Sequence, residues 1–235
     1  MKALVLAAGK GERMRPLTLH TPKPLLPVGG RPLIVWHLEK LARLGIVEVA
    51  INTAWLAPRL RGALGDGSAW GLRIAWADEG EEPLETGGAL LNALPLLGES
   101  PFLLVNGDVW TDFDFGTLPR EPDGLAHLVL VDRPAYAARG DFALDRDGRV
   151  REAATPPLTY AGLGVYRPEI LQDWRRHVPA DPGTRRTPPR FPLAPLLRAH
   201  MADGRIAGTH HRGRWTDVGT PERLAALDAA LGGSG

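Results

Sequence analysis

The stretch ALVLAAGKGERMRP, residues 3–16, decides the fold. Its first part, ALVLAA at residues 3–8, is a continuous apolar run, which is typical of a strand buried on both faces. The turn that follows, GKGERMR at residues 9–15, combines glycines with cations, so its backbone N–H groups can hold a phosphate. It is neither a Walker A loop nor a dinucleotide fingerprint, because no G-K-[ST] ends it and Met14 replaces the third glycine. An ordinary strand-exit turn is the alternative.

Strand and helix patterns alternate outward from this stretch, which predicts right-handed crossovers and a parallel sheet. Further strands are expected at 47–52, 72–77 and 102–106, and helices at 32–44, 56–64 and 86–97. Pro95 makes the last turn of the third helix doubtful. The later residues predict strands at 125–132, 158–166 and 205–211, a hairpin within 142–151, an exposed Pro- and Arg-rich loop at 178–192, and helices at 193–203 and from Thr220.

Composition excludes several classes of protein. The chain has 235 residues, 44% hydrophobic and 23% charged, with a net charge of +1. These values are ordinary for a globular domain and too balanced for a general nucleic-acid binder. Cysteine is absent, so no disulfide scaffold or thiolate metal site is possible. No apolar run is long enough to span a membrane, and we expect a cytoplasmic protein. We expect residues 232–235 (GGSG) to be a tail outside the fold.

The lysines are few, and one is held between prolines. Only Lys2, Lys10, Lys23 and Lys40 occur among the 28 Lys and Arg residues. In TPKPL, residues 21–25, prolines on both sides of Lys23 restrict where its ammonium points. Fixed cations of this kind neutralise charge in phosphoryl transfer. A solvated lysine in a proline-rich loop is the alternative interpretation.

Two aspartates are candidates for holding a metal ion. Asp108 follows the predicted strand at 102–106, at the edge where open α/β sheets bind ligands. Asp217 lies in WTDVGT, residues 215–220. Mg²⁺ commonly uses one or two carboxylates together with phosphate oxygens and water. Taken singly, each aspartate is equally consistent with a turn or helix-cap role.

LAAGKGERMRPLT (residues 6–18) followed by PKPLLPV (residues 22–28) resembles the signature of the sugar-1-phosphate nucleotidylyltransferases. The resemblance covers the chain to about Leu231. It implies a Rossmann-like nucleotidyltransferase fold of the α/β class (GT-A-like), with a mixed, mostly parallel central sheet flanked by helices and a smaller β-rich layer. It also implies one domain over 1–231, with a nucleotide-binding half at 1–120 and a sugar-binding half at 121–231.

The resemblance implies roles for individual residues. Arg13 and Lys23 would be catalytic, and Asp108 and Asp217 would hold Mg²⁺. The nucleotide would be bound by Ala7, Ala8, Gly9, Gly11, Glu12, Arg13, Leu84, Glu85, Thr86, Gly87 and Asn106. The sugar would be contacted by Trp110, Gly140, Asp141, Glu152, Tyr160 and Gly162. At Glu152 the chain departs from the family pattern, because the Glu-Lys pair of larger relatives is not intact at REAA, residues 151–154.

The segment PLETGG, residues 83–88, together with NGDVWTDFDF, residues 106–115, is similar to one branch of the family. That branch joins UTP to N-acetylmuramate 1-phosphate in cell-wall recycling. Many family members have a glycine where this chain has Glu85. GTP with mannose or heptose 1-phosphate, and dTTP with glucose 1-phosphate, remain alternatives. A cytidylyltransferase for choline phosphate or another alcohol phosphate is a further one.

The partners expected are therefore small molecules, a nucleoside triphosphate and a sugar 1-phosphate, with no nucleic acid or membrane partner. A catalytically silent nucleotide-sugar sensor is the alternative from another class, and it is disfavoured because Lys23, Asp108 and Asp217 are all present. The sequence leaves a monomer and a dimer equally open. It also leaves open whether Arg185, Arg186 and Arg190 of the 178–192 loop touch an acidic sugar or are solvated, and solvation is the favoured interpretation.

Overall fold

A computed structural model describes residues 1–232 of the chain. In chain order its strands and helices are β1 (Lys2–Leu6), α1 (Leu33–Arg43), β2 (Glu48–Thr53), α2 (Ala57–Leu64), β3 (Arg73–Asp78), α3 (Glu85–Leu97), β4 (Phe102–Asn106), β5 (Val109–Thr111), β6 (Ala126–Asp132), β7 (Ala143–Leu144), β8 (Val150–Arg151), β9 (Leu158–Tyr166), α4 (Ala194–Ala202), β10 (Ile206–His211), β11 (Trp215–Asp217) and α5 (Pro221–Gly232). The expected tail falls mostly outside the described residues, and Gly232 ends α5.

A seven-stranded sheet in the order β10-β6-β9-β4-β1-β2-β3 forms the centre of the molecule. Strands β1 to β4 pair in parallel, and only β9 runs against both of its neighbours. The mixed, mostly parallel sheet expected from the sequence is therefore confirmed. Strands from both halves of the chain join this sheet, while the division into a nucleotide half and a sugar half stays a prediction.

Strand β1 is shorter than its apolar run because its backbone changes partner. The ladder to β2 ends at Val5 and the ladder to β4 at Leu6, and the next N–H, that of Ala7, donates to the Asn52 side chain at 2.5 Å. Ala7 and Ala8 thus leave the sheet at its carboxyl edge. The other departure is α3, which continues through Pro95 to Leu97 at the cost of one backbone hydrogen bond.

The sheet is covered on both faces, as the apolar run of β1 predicts. Leu4 packs with α3 and α4 on one face, and Val5 packs with α1 and α2 on the other. A smaller cluster containing Met14, Trp110 and Leu227 lies beneath α5. Because both faces of the sheet and this smaller cluster are buried, the loops at the carboxyl edge of the sheet are attached to a rigid base.

Short antiparallel pairs form the β-rich layer. β5 pairs with β11, and β7 pairs with β8 around the predicted hairpin turn. The register of β9 shifts between Tyr160 and Gly164, so its first residues turn toward the same edge as the loop after β1. No helix among residues 1–232 combines the length and apolarity needed to cross a membrane.

Candidate active site

A cleft opens at the carboxyl edge of the sheet, where β1, β2 and β4 end. It contains a pocket of about 210 Å³ and an adjoining trough of about 590 Å³. Both are bordered by Gly9, Lys23 and Asp108. Of the predicted nucleotide-binding residues, the pocket is lined by Ala7, Ala8, Gly9, Glu85, Thr86 and Asn106. The trough is lined by Gly9, Gly11, Glu12, Arg13 and Glu85.

The glycine-rich turn borders the trough in a fixed conformation. Gly11 has φ +61°, and its carbonyl accepts a hydrogen bond from the buried Thr18 hydroxyl at 2.7 Å. The next residues form a 3-10 turn, Glu12–Met14, with Met14 buried and Arg13 exposed. Burial of Met14 therefore turns the Arg13 side chain toward the trough. A Cβ at Gly9 would meet no protein atom, so the backbone there is open to a ligand.

Lys23 lies where the pocket meets the trough. Pro22 precedes the 3-10 turn Lys23–Leu25, and the lysine is only 8% exposed. Its Nζ donates to Asp108 Oδ2 at 2.6 Å, while the Asp108 side chain is 42% exposed. The ammonium is held on one side by a carboxylate and faces the cleft on the other.

Asp217 lies beside Asp108 through the β5–β11 pair. Asp217 is opposite Val109 in that pair, and the Val218 N–H donates to the Asp108 carbonyl at 2.8 Å. Asp217 Oδ1 accepts hydrogen bonds from both Arg223 and the Tyr136 hydroxyl. Burial, with the Asp217 hydrogen bond second, raises the pKa of Tyr136 to about 12. Tyr136 therefore stays a donor to Asp217 at neutral pH.

The two aspartates fit a divalent cation that binds mainly through substrate. Among residues 1–232, no three His, Cys, Asp or Glu side chains form a group able to hold a metal ion alone. Mg²⁺ needs no such cage, since one or two carboxylates with phosphate oxygens and water suffice. One oxygen of each carboxylate carries the contacts to Lys23 or Arg223, which leaves the other oxygen for a cation.

The segment before α3 departs from the expected nucleotide contacts at two residues. Leu84 is 1% exposed, and its N–H and carbonyl bind Glu79 and Phe191. The Gly87 N–H donates to the Phe191 carbonyl at 3.0 Å, and a Cβ on Gly87 would lie 2.5 Å from the Phe191 ring. Core and loop contacts therefore occupy both residues, and neither lines the pocket or the trough, while their nucleotide contacts stay a prediction.

The sequence predicts an exposed Pro- and Arg-rich loop at 178–192, but part of this loop is buried in the structure. Residues 189–191 dock on the start of α3 through the Phe191 carbonyl. The Phe191 ring also stacks on Trp174, with ring centroids 4.2 Å apart. This contact brings Arg190 to the trough, where its Nη2 lies 3.1 Å from Glu85 Oε1. Glu85 adopts φ +61°, the left-handed region that favours glycine. The sequence favoured a solvated Arg190, and the adjacent glycines Gly87 and Gly88 were the available signal of a close-packed partner.

Asn52 and Glu79 were also missed. Both are buried and both line the pocket. Asn52 Nδ2 donates to Glu79 Oε1 at 2.7 Å. Each lies at the carboxyl end of a parallel strand, the place where α/β sheets bind ligands, and that position was the signal in the sequence.

Three predicted sugar residues lie together at the edge. Asp141 Oδ2 accepts from the Tyr160 N–H at 2.9 Å, and Gly140 lies against the start of β9. A Cβ on Gly162 would lie 2.6 Å from the Asn106 amide nitrogen. Asn106 Oδ1 is buried and has no hydrogen-bond partner within residues 1–232, and the Asn106 residue borders the pocket.

Trp110, Tyr160 and Glu152 are not brought to the cleft. Trp110 is 7% exposed and packs edge-on against Trp36, because β5 turns it beneath α5. The Tyr160 hydroxyl accepts from Tyr166 inside the core at 2.8 Å, and burial raises its pKa. Only the Tyr160 backbone faces the edge. Glu152 pairs with Arg198 of α4 at 2.8 Å, since the hairpin carries it away from the cleft.

This architecture is that of an α/β protein with a mixed central sheet, and comparisons with known proteins agree. A crystal structure assigned as a glucose-1-phosphate thymidylyltransferase of Bacillus anthracis, in complex with sucrose, superposes with TM-score 0.84 at 21% identity. It covers 99% of this chain and 95% of that chain, which shows the fold. The nucleotidyl transferase family model matches residues 2–139.

The chain belongs to the nucleotidyl transferase family, and it is an enzyme of that class. An N-acetylmuramate α-1-phosphate uridylyltransferase of Neisseria meningitidis is 47% identical over 99% of both chains. One of Caulobacter vibrioides is 34% identical over 97% of this chain and 96% of its own. A mannose-1-phosphate guanylyltransferase of Mycobacterium tuberculosis is 34% identical over 97% of this chain and 64% of its own.

Proposed function

We propose that the protein transfers the uridylyl group of UTP to N-acetylmuramate 1-phosphate, forming UDP-N-acetylmuramate and pyrophosphate. The observation that carries the proposal is Lys23, a buried ammonium held by Asp108 at the junction of a base-sized pocket and an open trough. The two uridylyltransferase relatives match nearly the full length of the chain. The proposal keeps the predicted cytoplasmic location, where nucleoside triphosphates are made.

The uracil ring would enter the pocket, and the triphosphate would follow the glycine-rich turn. Thr86 and Glu85 line the pocket wall. Gly9, Gly11 and Arg13 line the trough, which suits three successive phosphates because N–H groups and a guanidinium offer charge-assisted hydrogen bonds. Arg190 reaches the same trough from the opposite wall. The phosphates would therefore be flanked by cations on two sides.

The transfer needs no dedicated general base. A sugar 1-phosphate carries most of its second negative charge at pH 7, since its second pKa is about 6. Its oxygen attacks the α-phosphorus of UTP, forms the new P–O bond and breaks the bond to the departing pyrophosphate. Lys23 and Arg13 neutralise charge on the phosphates and hold them in line, which is what phosphoryl-transfer catalysis chiefly requires.

Mg²⁺ would be held between the enzyme and the substrates. Asp108 and Asp217 are the residues that would bind it, with Arg223 and Tyr136 fixing the orientation of Asp217. When bound, the cation would supply charge neutralisation at the phosphate oxygens. Lys23 stays beside Asp108 and keeps that carboxylate oriented toward the trough.

The sugar would lie against the start of β9. The Asn106 side chain, which borders the pocket, and the Asp141 carboxylate are the groups that would accept hydrogen bonds from sugar hydroxyl or amide groups. Gly140 and Gly162 pack directly against Leu158 and Asn106, so they would set the shape of this edge without touching the sugar through side chains. A second candidate, GTP with mannose 1-phosphate, is favoured by the similarity to mannose-1-phosphate guanylyltransferases such as that of Mycobacterium tuberculosis.

Pyrophosphate release tests the proposal. UTP, GTP, dTTP and CTP are each paired with N-acetylmuramate, mannose, heptose and glucose 1-phosphates in the presence of Mg²⁺, with choline phosphate as a further acceptor. We expect release only with UTP and N-acetylmuramate 1-phosphate. Release with another pair would keep the family and discard the substrate assignment. Silence of the folded protein across all pairs would favour a nucleotide-sugar sensor.

A further inference from the structure

A chain of hydrogen bonds runs across the floor of the pocket. The Ala7 N–H donates to Asn52 Oδ1 at 2.5 Å. Asn52 Nδ2 donates to Glu79 Oε1 at 2.7 Å. The Leu84 N–H donates to Glu79 Oε2 at 2.8 Å. Two side chains thus connect the loop after β1 with the segment before α3.

The chain follows the carboxyl edge of three neighbouring strands. Ala7 leaves β1, Asn52 lies near the end of β2, and Glu79 follows β3. Ala7, Asn52 and Glu79 all line the 210 Å³ pocket. The hydrogen bonds therefore determine how far apart the two walls stand, one at Ala7 and Ala8, the other next to Leu84.

Stability of the fold alone does not account for a carboxyl group at this position. Glu79 is 6% exposed and Asn52 is 4% exposed, and burial raises the pKa of the Glu79 carboxyl. A buried carboxyl group is costly, and well-packed apolar side chains commonly replace buried polar networks without loss of stability. Hydrogen bonds that contact both walls of the pocket differ from apolar contacts, because they fix the relative orientation of the walls as well as the distance between them.

We propose that Glu79 and Asn52 are positioning residues that hold the two walls of the pocket at the spacing required by the nucleobase of a nucleoside triphosphate. Both act through Ala7 and Leu84 and do not need to touch the base themselves. Pre-organised walls cost less on binding than walls that must be ordered by the ligand. The inference rests on the proposed function only in that the pocket receives a nucleobase.

Exchanging the donor and the acceptor of the Asn52–Glu79 hydrogen bond tests the proposal. Glu79→Gln alone leaves two amide groups facing each other, with one acceptor oxygen for two donors. Asn52→Asp alone sets one carboxylate against another. In the double variant Glu79→Gln/Asn52→Asp, the amide at position 79 donates to the carboxylate at position 52, and the Ala7 and Leu84 N–H groups keep their acceptors. One carboxyl group and one amide group are retained, as in the natural chain.

Calorimetric titration with UTP and Mg²⁺ gives the readout. Each single variant is expected to raise the dissociation constant for UTP about tenfold, the usual size for one lost hydrogen bond to a charged group. The double variant is expected to recover most of that loss. The KM for the sugar 1-phosphate is expected to stay within about twofold in all three. Lys2→Met is the matched control, because it removes a hydrogen bond to the Leu96 carbonyl (2.8 Å) at the other end of β1.

Two results would overturn the positioning role. One is wild-type affinity for UTP in both single variants although their melting temperatures fall. The other is a double variant that binds as weakly as the single ones. If a single variant does not fold, the affinity of the double variant for UTP tests the positioning role. Affinity close to that of the wild type supports the role, and affinity about tenfold weaker overturns it.

Titrating the wild type with UTP, GTP, dTTP and CTP first separates the two proposals. Preference for another nucleotide overturns the proposed function, and the exchange test then proceeds with that nucleotide. Binding of none of them overturns the positioning role as well.

Discussion

The two ends of the cleft are built differently. At the nucleotide end, the predicted residues other than Asn106 form two short stretches, residues 7–13 and 84–87, and most of them line one of the two cavities. At the sugar end, the predicted residues are scattered over β5, the loop before β7, the residue after β8 and the first part of β9. Asp141 and Gly162 reach the edge, whereas Trp110 and Glu152 turn elsewhere.

The difference shows which features topology alone determines. A loop that leaves a parallel strand must lie at the carboxyl edge of the sheet, wherever its side chains point. A side chain on a short strand faces the site or the core depending on its place in the alternation, and a shift of one residue reverses that face. The nucleotide end therefore depends on loops, and the sugar end depends on register.

The nucleotide end is tested most strongly by Lys23. Lys23→Ala is expected to lower kcat about 10³-fold, the size found when a preorganised charge-stabilising donor is removed. The melting temperature should change little, because Asp108 is 42% exposed and water can solvate it. Lys23→Arg should not restore turnover, since a planar guanidinium does not replace a compact ammonium. Near-normal kcat in Lys23→Ala would contradict the assignment.

The boundary between the two ends is tested by the carboxylates. Asp217→Asn is expected to raise the Mg²⁺ concentration that gives half-maximal activity by at least roughly 10–100-fold. Loss of a residue that only hydrogen-bonds to a metal ligand already has an effect of this size. Direct titration of the enzyme with Mn²⁺, followed by electron paramagnetic resonance, should show the same weakening. Asp112→Asn is the control, because Asp112 lies nearby but binds His211 at 2.8 Å. An equal effect in both variants would argue against a metal role for Asp217.

Arg190 tests whether the docked loop belongs to the nucleotide end. Arg190→Ala is expected to lower kcat/KM roughly tenfold through loss of a charge-assisted contact to phosphate. Arg185→Ala in the same loop is the matched control, because Arg185 is exposed and does not line the trough. Steady-state kinetics with both substrates varied distinguishes the two. Equal kinetics in the two variants would show that the loop arginines act only through general charge.

The smallest effect is expected at the sugar end. Glu152→Gln should change the KM for the sugar 1-phosphate by less than about twofold, because a surface ion pair such as that with Arg198 contributes little. Arg198→Ala is the companion variant and should behave alike. A KM raised more than about fivefold in Glu152→Gln alone would show that Glu152 contacts the sugar after all. The hairpin would then have to move when the sugar binds.

Most of the fold could be predicted from the sequence, because apolar runs and helical spacing are local signals. The ends of β4 and α3 agree with the periodicity to within a residue. The contacts that could not be predicted are those made between distant segments. Glu79 finds Asn52 across two strands, and Phe191 reaches Gly87 across about 100 residues of chain. Such partners are set by tertiary packing, which leaves only indirect traces, such as two adjacent glycines or a polar residue ending a strand.

A crystal structure of the enzyme with UTP and Mg²⁺ tests the central claim most directly, namely that the nucleotide end and the sugar end are separate. The account predicts the uracil ring in the pocket above Asn52 and Glu79, and the triphosphate along the turn from Gly9 to Arg13. It also predicts that the space beside Asp141 stays open for the sugar. A uracil ring found beside Asp141, or a triphosphate bound away from the glycine-rich turn, would contradict it.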